Sequence, residues 1–295
     1  MKRLSIVAVL LLFILSACSK QEPPAQIAAT TLPVYEFTVR LCEGTGLTVS
    51  RLITENVSCL HDYSLNVRQV RAAEAAEIIV ISGAGLEEFM DDILQNKTVI
   101  DSSSGIDLIE CSESHEHEHE HEHDHGHHHH DVDSHIWLSP KNAKDMSANI
   151  CTGLIREYPQ YRDLFSRNLD VLLEDIHAVE VYGNRALEEL SCRELVTFHD
   201  GFSYLAESFD LEILKSVEEE SGSEASASEL KELILMIREH RIPAVFTEVN
   251  GSSSAASVIA RETGIKTFPL DMAMSGSSWF EAMHHNIDTL KEALE

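Results

Sequence analysis

Ile78-Ile79-Val80-Ile81 is an unbroken β-branched run, and such a run reads as a strand buried on both faces. It sits in a rhythm. Strand-prone stretches at Gln26 to Thr31, Leu47 to Ile53, Ile78 to Ile81 and Val99 to Asp101 alternate with helical patterns around Val34 to Cys42, Val67 to Ala76 and Leu86 to Leu94. The alternation returns at Glu194 to Thr197, Leu211 to Leu214, Ala244 to Thr247 and Lys266 to Leu270, again with helical stretches between. Strand-helix alternation implies parallel sheet with crossover helices, so the expected fold is α/β with two lobes.

Between the lobes, Tyr161 to Leu190 contains one glycine, Gly183, and no proline, while Leu164, Leu169, Leu172, Leu173 and Ile176 recur at helical spacing. A single helix of that length would run about 45 Å and would join the lobes as a rigid rod, restricting hinge motion. A second helix should start at Ser226, whose hydroxyl can cap while Glu229 reaches back, and should stop before Pro243. The expected division is residues 26–160 for the first lobe, 161–190 for the linking helix and 191–295 for the second lobe, with a His-rich loop at 112–132.

Lys2 and Arg3 precede the apolar run Leu4 to Leu15, which as a helix would span about 18 Å against a hydrocarbon core of about 30 Å. It reads as a signal peptide, residues 1–17. Leu15-Ser16-Ala17-Cys18 resembles a bacterial lipobox, which would make Cys18 the lipidated first residue of the mature chain, with 18–25 as the linker to the body. Losing Lys2 and Arg3, and no acid, would move the formal net charge from -28 to -30. Such an acidic body repels polyanions, so nucleic acid is not an expected partner.

Ten histidines, His115, His117, His119, His121, His123, His125, His127, His128, His129 and His130, are interleaved with Glu116, Glu118, Glu120, Glu122 and Asp124. Alternating imidazole and carboxylate has no packing use, but it collects transition-metal ions. The match of residues 115–119 to His-Glu-x-x-His is accidental in such a repeat, because the peptidase pattern needs an ordered helix and a third ligand. No catalysis is expected. After Cys18 the chain holds Cys42, Cys59, Cys111, Cys151 and Cys192, an odd number without the tight pairs of a zinc knuckle, and these read as structural.

Outside the tract, His61 follows a strand and loop, His135 follows the tract, His199 ends the run Leu195 to Phe198, and Asp271 ends Thr267 to Leu270. Residues at the carboxyl ends of parallel strands converge on the crevice where open α/β sheets bind ligands. Asp62 and Asp200, each beside a candidate ligand, could orient an imidazole through a hydrogen bond. Glu248, after Ala244 to Thr247, reads as a salt-bridge or capping residue, and His284 and His285 read as surface residues of the last helix.

His61-Asp62-Tyr63-Ser64-Leu65, His135-Ile136-Trp137-Leu138-Ser139-Pro140, Phe198-His199-Asp200 and Pro269-Leu270-Asp271 resemble, in order and spacing, the four metal-site segments of zinc-binding solute-binding proteins of ABC importers. The resemblance covers nearly the whole mature chain. It implies two α/β lobes joined by one long helix, with the metal held in the cleft between them by His61, His135, His199 and Asp271. Three imidazoles and one carboxylate make a tetrahedral set that zinc accepts at about 2.0–2.2 Å, whereas manganese prefers more oxygen. Two departures stand out: Cys59-Leu60 precedes the first histidine, and Asp271-Met272-Ala273-Met274 lacks the usual proline after the aspartate. Cys59 or water could therefore complete the coordination in place of Asp271.

The implied function is a monomeric, lipid-anchored extracytoplasmic receptor, at the outer face of the cell membrane or in the periplasm. It would capture Zn2+ and deliver it to an ABC permease driven by its ATPase. The alternatives are a manganese or iron receptor of the same transporter class, and a surface zinc buffer or adhesin with no transport role.

Overall fold

The computed structural model describes residues 24–57, 60, 63–110, 132–218, 226–249, 251 and 254–295. Cys18, Cys59, His61, Asp62, Cys111 and all ten tract histidines lie outside the described residues.

The first lobe runs β1 (Ile27–Ala29), α1 (Leu32–Leu41), β2 (Val49–Arg51), α2 (Val67–Ala75), β3 (Ile78–Ile81), α3 (Asp91–Leu94) and β4 (Thr98–Asp101). Its strands form one parallel sheet in the order β2-β1-β3-β4. Helix α4 (Pro140–Glu157) and the linking helix α5 (Arg162–Ala186) follow. The second lobe is β5 (Glu194–His199), α6 (Ser203–Ser208), β6 (Glu212–Glu218), α7 (Ala227–His240), β7 (Ala244–Glu248), α8 (Ser254–Thr263), β8 (Lys266–Leu270) and α9 (Trp279–Leu294). Its sheet, also parallel, has the order β6-β5-β7-β8, so the lobes repeat one topology.

Two elements differ from the sequence reading. The helix expected over Leu86 to Leu94 is a 3-10 turn, Glu88–Met90, followed by four α-helical residues. Its start is diverted because Gly83, Ala84 and Gly85 all adopt positive φ and the Glu87 carboxylate turns inward. There it accepts the Ser82 and Gly83 N–H groups and the Thr30 hydroxyl. The linking helix ends at Ala186 rather than Leu190 and is 25 residues long, about 37 Å. Gly183 falls inside it, and the reason is space: a Cβ there would meet Phe209 Cε1 at 2.3 Å.

Helix α5 packs against α1 and α4 of the first lobe and α9 of the second. Asn168 donates to the carbonyls of Leu41 and Glu43, Lys144 pairs with Glu180, and Tyr182 donates to Asp288. The rod is therefore fastened to both lobes. One apolar core runs from Ile27 in β1 through Phe37, Trp137, Ile176 and Phe246 to Leu294 in α9. A smaller cluster, Val196, Phe198, Leu233, Ile237, Ile242, Val245, Ala256 and Ile259, seats α7 and α8 on the outer face of the second sheet. The Ser226 capping box forms as expected, and Arg241 closes α7 in the left-handed region before Pro243. Cys42, Cys151 and Cys192 carry free thiols, and burial pushes the Cys42 thiol up to about 12, which keeps it unreactive. Among the described residues, no helix is long and apolar enough to cross a membrane.

Candidate metal centre

His199 is the last residue of β5 and Glu248 the last of β7, and these strands are neighbours. The next strand in sequence, β6, lies on the other side of β5, so the sheet changes direction of growth at this point. The crevice outside such a switch is where open α/β sheets bind ligands. Both side chains are buried, with His199 Nδ1 3.4 Å from Glu248 Oε1. Glu248 thus places a carboxylate beside the His199 imidazole.

His135 arrives from the first lobe. It precedes a 3-10 turn, Ile136–Leu138, after which Ser139 caps α4 and Pro140 opens it. Asp133 Oδ1 accepts the His135 backbone N–H at 2.8 Å and lies 2.8 Å from its Nδ1, fixing the ring against the chain that carries it. Burial alone would raise the Asp133 carboxyl. The charge of His135, its two hydrogen bonds and one from Ser203 outweigh that and hold it below the usual range. Tyr204 of α6 secures the same turn, donating to the Asp133 carbonyl at 3.0 Å and accepting the Ile109 N–H at 2.9 Å.

The rings of His135 and His199, one from each lobe, stand 5.3 Å apart between centroids and at 88°. A carboxylate faces Nδ1 of each. A proton on Nδ1 directed at that carboxylate leaves the lone pair on Nε2, the tautomer a metal ligand needs. Gly201 makes the approach possible, because a Cβ there would lie 2.8 Å from His199 Cδ2 and 3.0 Å from His135 Cε1.

Asp271 follows β8, and the buried Asn286 side chain of α9 grips both sides of its peptide, accepting its N–H at 2.7 Å and donating to its carbonyl at 2.8 Å. Its Oδ1 accepts the Ala273 N–H at 2.8 Å, and burial raises the carboxyl above its ordinary value. The structure brings the His135 and His199 rings together. Among the described residues, no group of three or more His, Cys, Asp or Glu could hold a metal ion. Asp200 accepts the Ser216 hydroxyl at 3.2 Å. His284 and His285 are exposed on α9, as read from the sequence.

Sequence reasoning missed Asp133 as the group that orients His135; its position two residues before a candidate ligand was the available signal. Asn286 left none, since only the packing of α9 on β8 brings it to Asp271.

Two parallel-sheet lobes are joined by one long helix, and a histidine from each lobe meets its counterpart between them. The family described as "Zinc-uptake complex component A periplasmic" matches residues 27–293, and the chain belongs to it. It is 28% identical over 293 residues to the "High-affinity zinc uptake system protein ZnuA" of Bacillus subtilis, covering 95% of this chain and 90% of that one. It is also 28% identical over 310 residues to the "Zinc-binding lipoprotein AdcA" of Streptococcus pneumoniae, where all of this chain spans only 62% of the relative's length. A solved structure titled "Crystal structure of ZnuA" superimposes with a TM-score of 0.78 at 27% identity, covering 92% of this chain and 100% of that one.

Proposed function

We propose that this protein captures Zn2+ in the cleft between its lobes and passes it to an ABC permease driven by a cytoplasmic ATPase. Lipid on Cys18 would hold it at the outer face of a membrane. The observation that carries the reading is the pair His135 and His199, presented edge to face from different lobes, each with a carboxylate at Nδ1. His61 and Asp271 would complete an N3O set, with Asp271 binding through Oδ2 because Oδ1 is engaged by Ala273. A nitrogen-rich set favours zinc over manganese. The tract, His115 to His130, would gather ions at sites weaker than the cleft.

Metal titration of the soluble mature chain tests the assignment. His61→Ala, His135→Ala and His199→Ala should each abolish one tight zinc site, and deletion of 115–130 should leave it. Loss of tight binding with the tract alone would overturn the reading. Transport is separated from surface buffering by growth of a deletion strain under zinc limitation, with rescue by added zinc expected.

A further inference from the structure

The point where a Gly201 Cβ would stand is ringed by three side chains, and the nearest is Met272, whose Cε lies 2.7 Å away. The other two atoms, His199 Cδ2 and His135 Cε1, are each bonded to Nε2 of their ring, so the methyl group and the two imidazole edges border the same small space. Met272 is held in this position by its backbone. Its carbonyl accepts the Trp137 indole N–H at 2.8 Å. The next residue, Ala273, is wholly buried at a φ of 55°, a conformation most side-chain-bearing residues avoid, and its N–H is bound to Asp271. Strained backbone that the surroundings fix so fully is the kind found where a side chain must be aimed.

We propose that Met272 determines which metal this site accepts: its methyl group closes the space beside the two Nε2 atoms to water and so limits the bound ion to four ligands. The inference rests on the assignment of His135 and His199 as ligands. A methyl carbon offers no lone pair, and wherever it packs, a coordinating water cannot. Zn2+ is content with four ligands, whereas Mn2+ is an oxygen-seeking ion of octahedral sites and is penalised by each water it cannot retain. An apolar plug on a nitrogen-rich site therefore discriminates by coordination number as well as by donor type.

Cobalt reads this out directly, because four-coordinate Co2+ absorbs visible light far more strongly than the five- or six-coordinate ion. One equivalent of Co2+ added to the metal-free mature chain, tract included, should give an intense spectrum. Met272→Leu should preserve it. Met272→Ala should weaken it several-fold as water enters, and should narrow the preference for Zn2+ over Mn2+ by about tenfold, which is roughly 1.4 kcal/mol. Should the alanine variant fold poorly, Met272→Gln keeps the length of the side chain, brings an oxygen to the metal and should show the same loss. An alanine spectrum equal to wild type would overturn the proposal, and so would a leucine variant that falls with alanine, since the sulfur would then be a ligand. His135→Ala and His199→Ala provide the separate check. If both keep the intense spectrum, the ligand assignment fails and takes this inference with it; if both lose it while Met272→Ala does not, only the role of Met272 fails.

Discussion

The indole nitrogen of Trp137 donates to the carbonyl of Met272 at 2.8 Å, tying the turn after His135 to the segment after Asp271 across the cleft. A second tryptophan extends the link, Trp279 donating to the carbonyl of Trp137 at 2.8 Å. Glu36 of α1 then accepts the Trp279 N–H at 2.6 Å and the Ser278 hydroxyl at 2.9 Å. Both indoles are wholly buried. The lobes thus share an interior.

Trp137→Phe keeps an aromatic ring but leaves the Met272 carbonyl without its donor. An orphaned buried acceptor and the void left by the smaller ring should together cost about 2–4 kcal/mol. Urea unfolding of the metal-free protein measures it, and a loss below about 0.5 kcal/mol, the level of an ordinary surface change, would show that the link is incidental.

Asp133→Asn retains an oxygen for the His135 N–H but removes the charge behind the ring. An orienting carboxylate of this kind is typically worth 10–100-fold in metal affinity, so zinc affinity should fall by about that factor while the fold is kept. Competition with a chelator of known affinity gives the number. The same titration across pH should show affinity falling below about pH 6.5, where ligating histidines must first lose a proton.

Glu87 predicts a pH dependence of stability with an unusual sign. Burial dominates over its hydrogen bonds and raises its carboxyl from 4.5 to about 7. The unfolded chain releases this proton near pH 4.5 and the folded chain only near 7, so the folded state holds more protons in between. The contribution of Glu87 is fully present below pH 4.5 and is lost as pH rises to about 7, by roughly 3 kcal/mol at most. Glu87→Gln should flatten that part of the curve. Chemical denaturation of both proteins at pH 5, 6 and 7.5 checks it, and equal pH slopes for the two would show that the side chain ionises normally.

The strands were legible in the sequence because β-branched runs such as Ile78 to Ile81 have one use in a soluble domain, burial on both faces. Ser226 and Glu229 placed the start of α7 for a similar reason, their reciprocal bonds being local. What escaped is tertiary. Leu86 to Leu94 has helical spacing, yet the buried Glu87 and the positive φ of Gly83, Ala84 and Gly85 divert its start. Of the site, His135 and His199 were visible from their places after a loop and at a strand end, and the structure brings them together. Asp133 was signalled only by its place two residues before His135, and Asn286 not at all, because only the packing of α9 on β8 brings it to Asp271.

Gly183 sets helix propensity against packing, and the winner can be predicted. In a free helix, alanine is more stable than glycine by about 1 kcal/mol, so Gly183→Ala would stabilise α5 if the position were open. It is closed: the added Cβ would stand 2.3 Å and 2.5 Å from two ring carbons of Phe209 and 3.1 Å from Ile287 Cδ1. Phe209 is buried and its ring cannot yield as a flexible chain end would, so the methyl has to push α5 away from the second lobe. Overpacking of this sort costs about 1–3 kcal/mol, more than propensity returns, and net destabilisation is expected. Because α5 also touches the first lobe through Asn168, the displacement should reach the cleft and weaken zinc binding as well. Phe209→Leu in the Gly183→Ala background should recover part of both losses, since it clears the space the methyl needs. Thermal unfolding and zinc titration of the single and double variants measure the coupling, and strictly additive effects would mean that the two side chains do not meet.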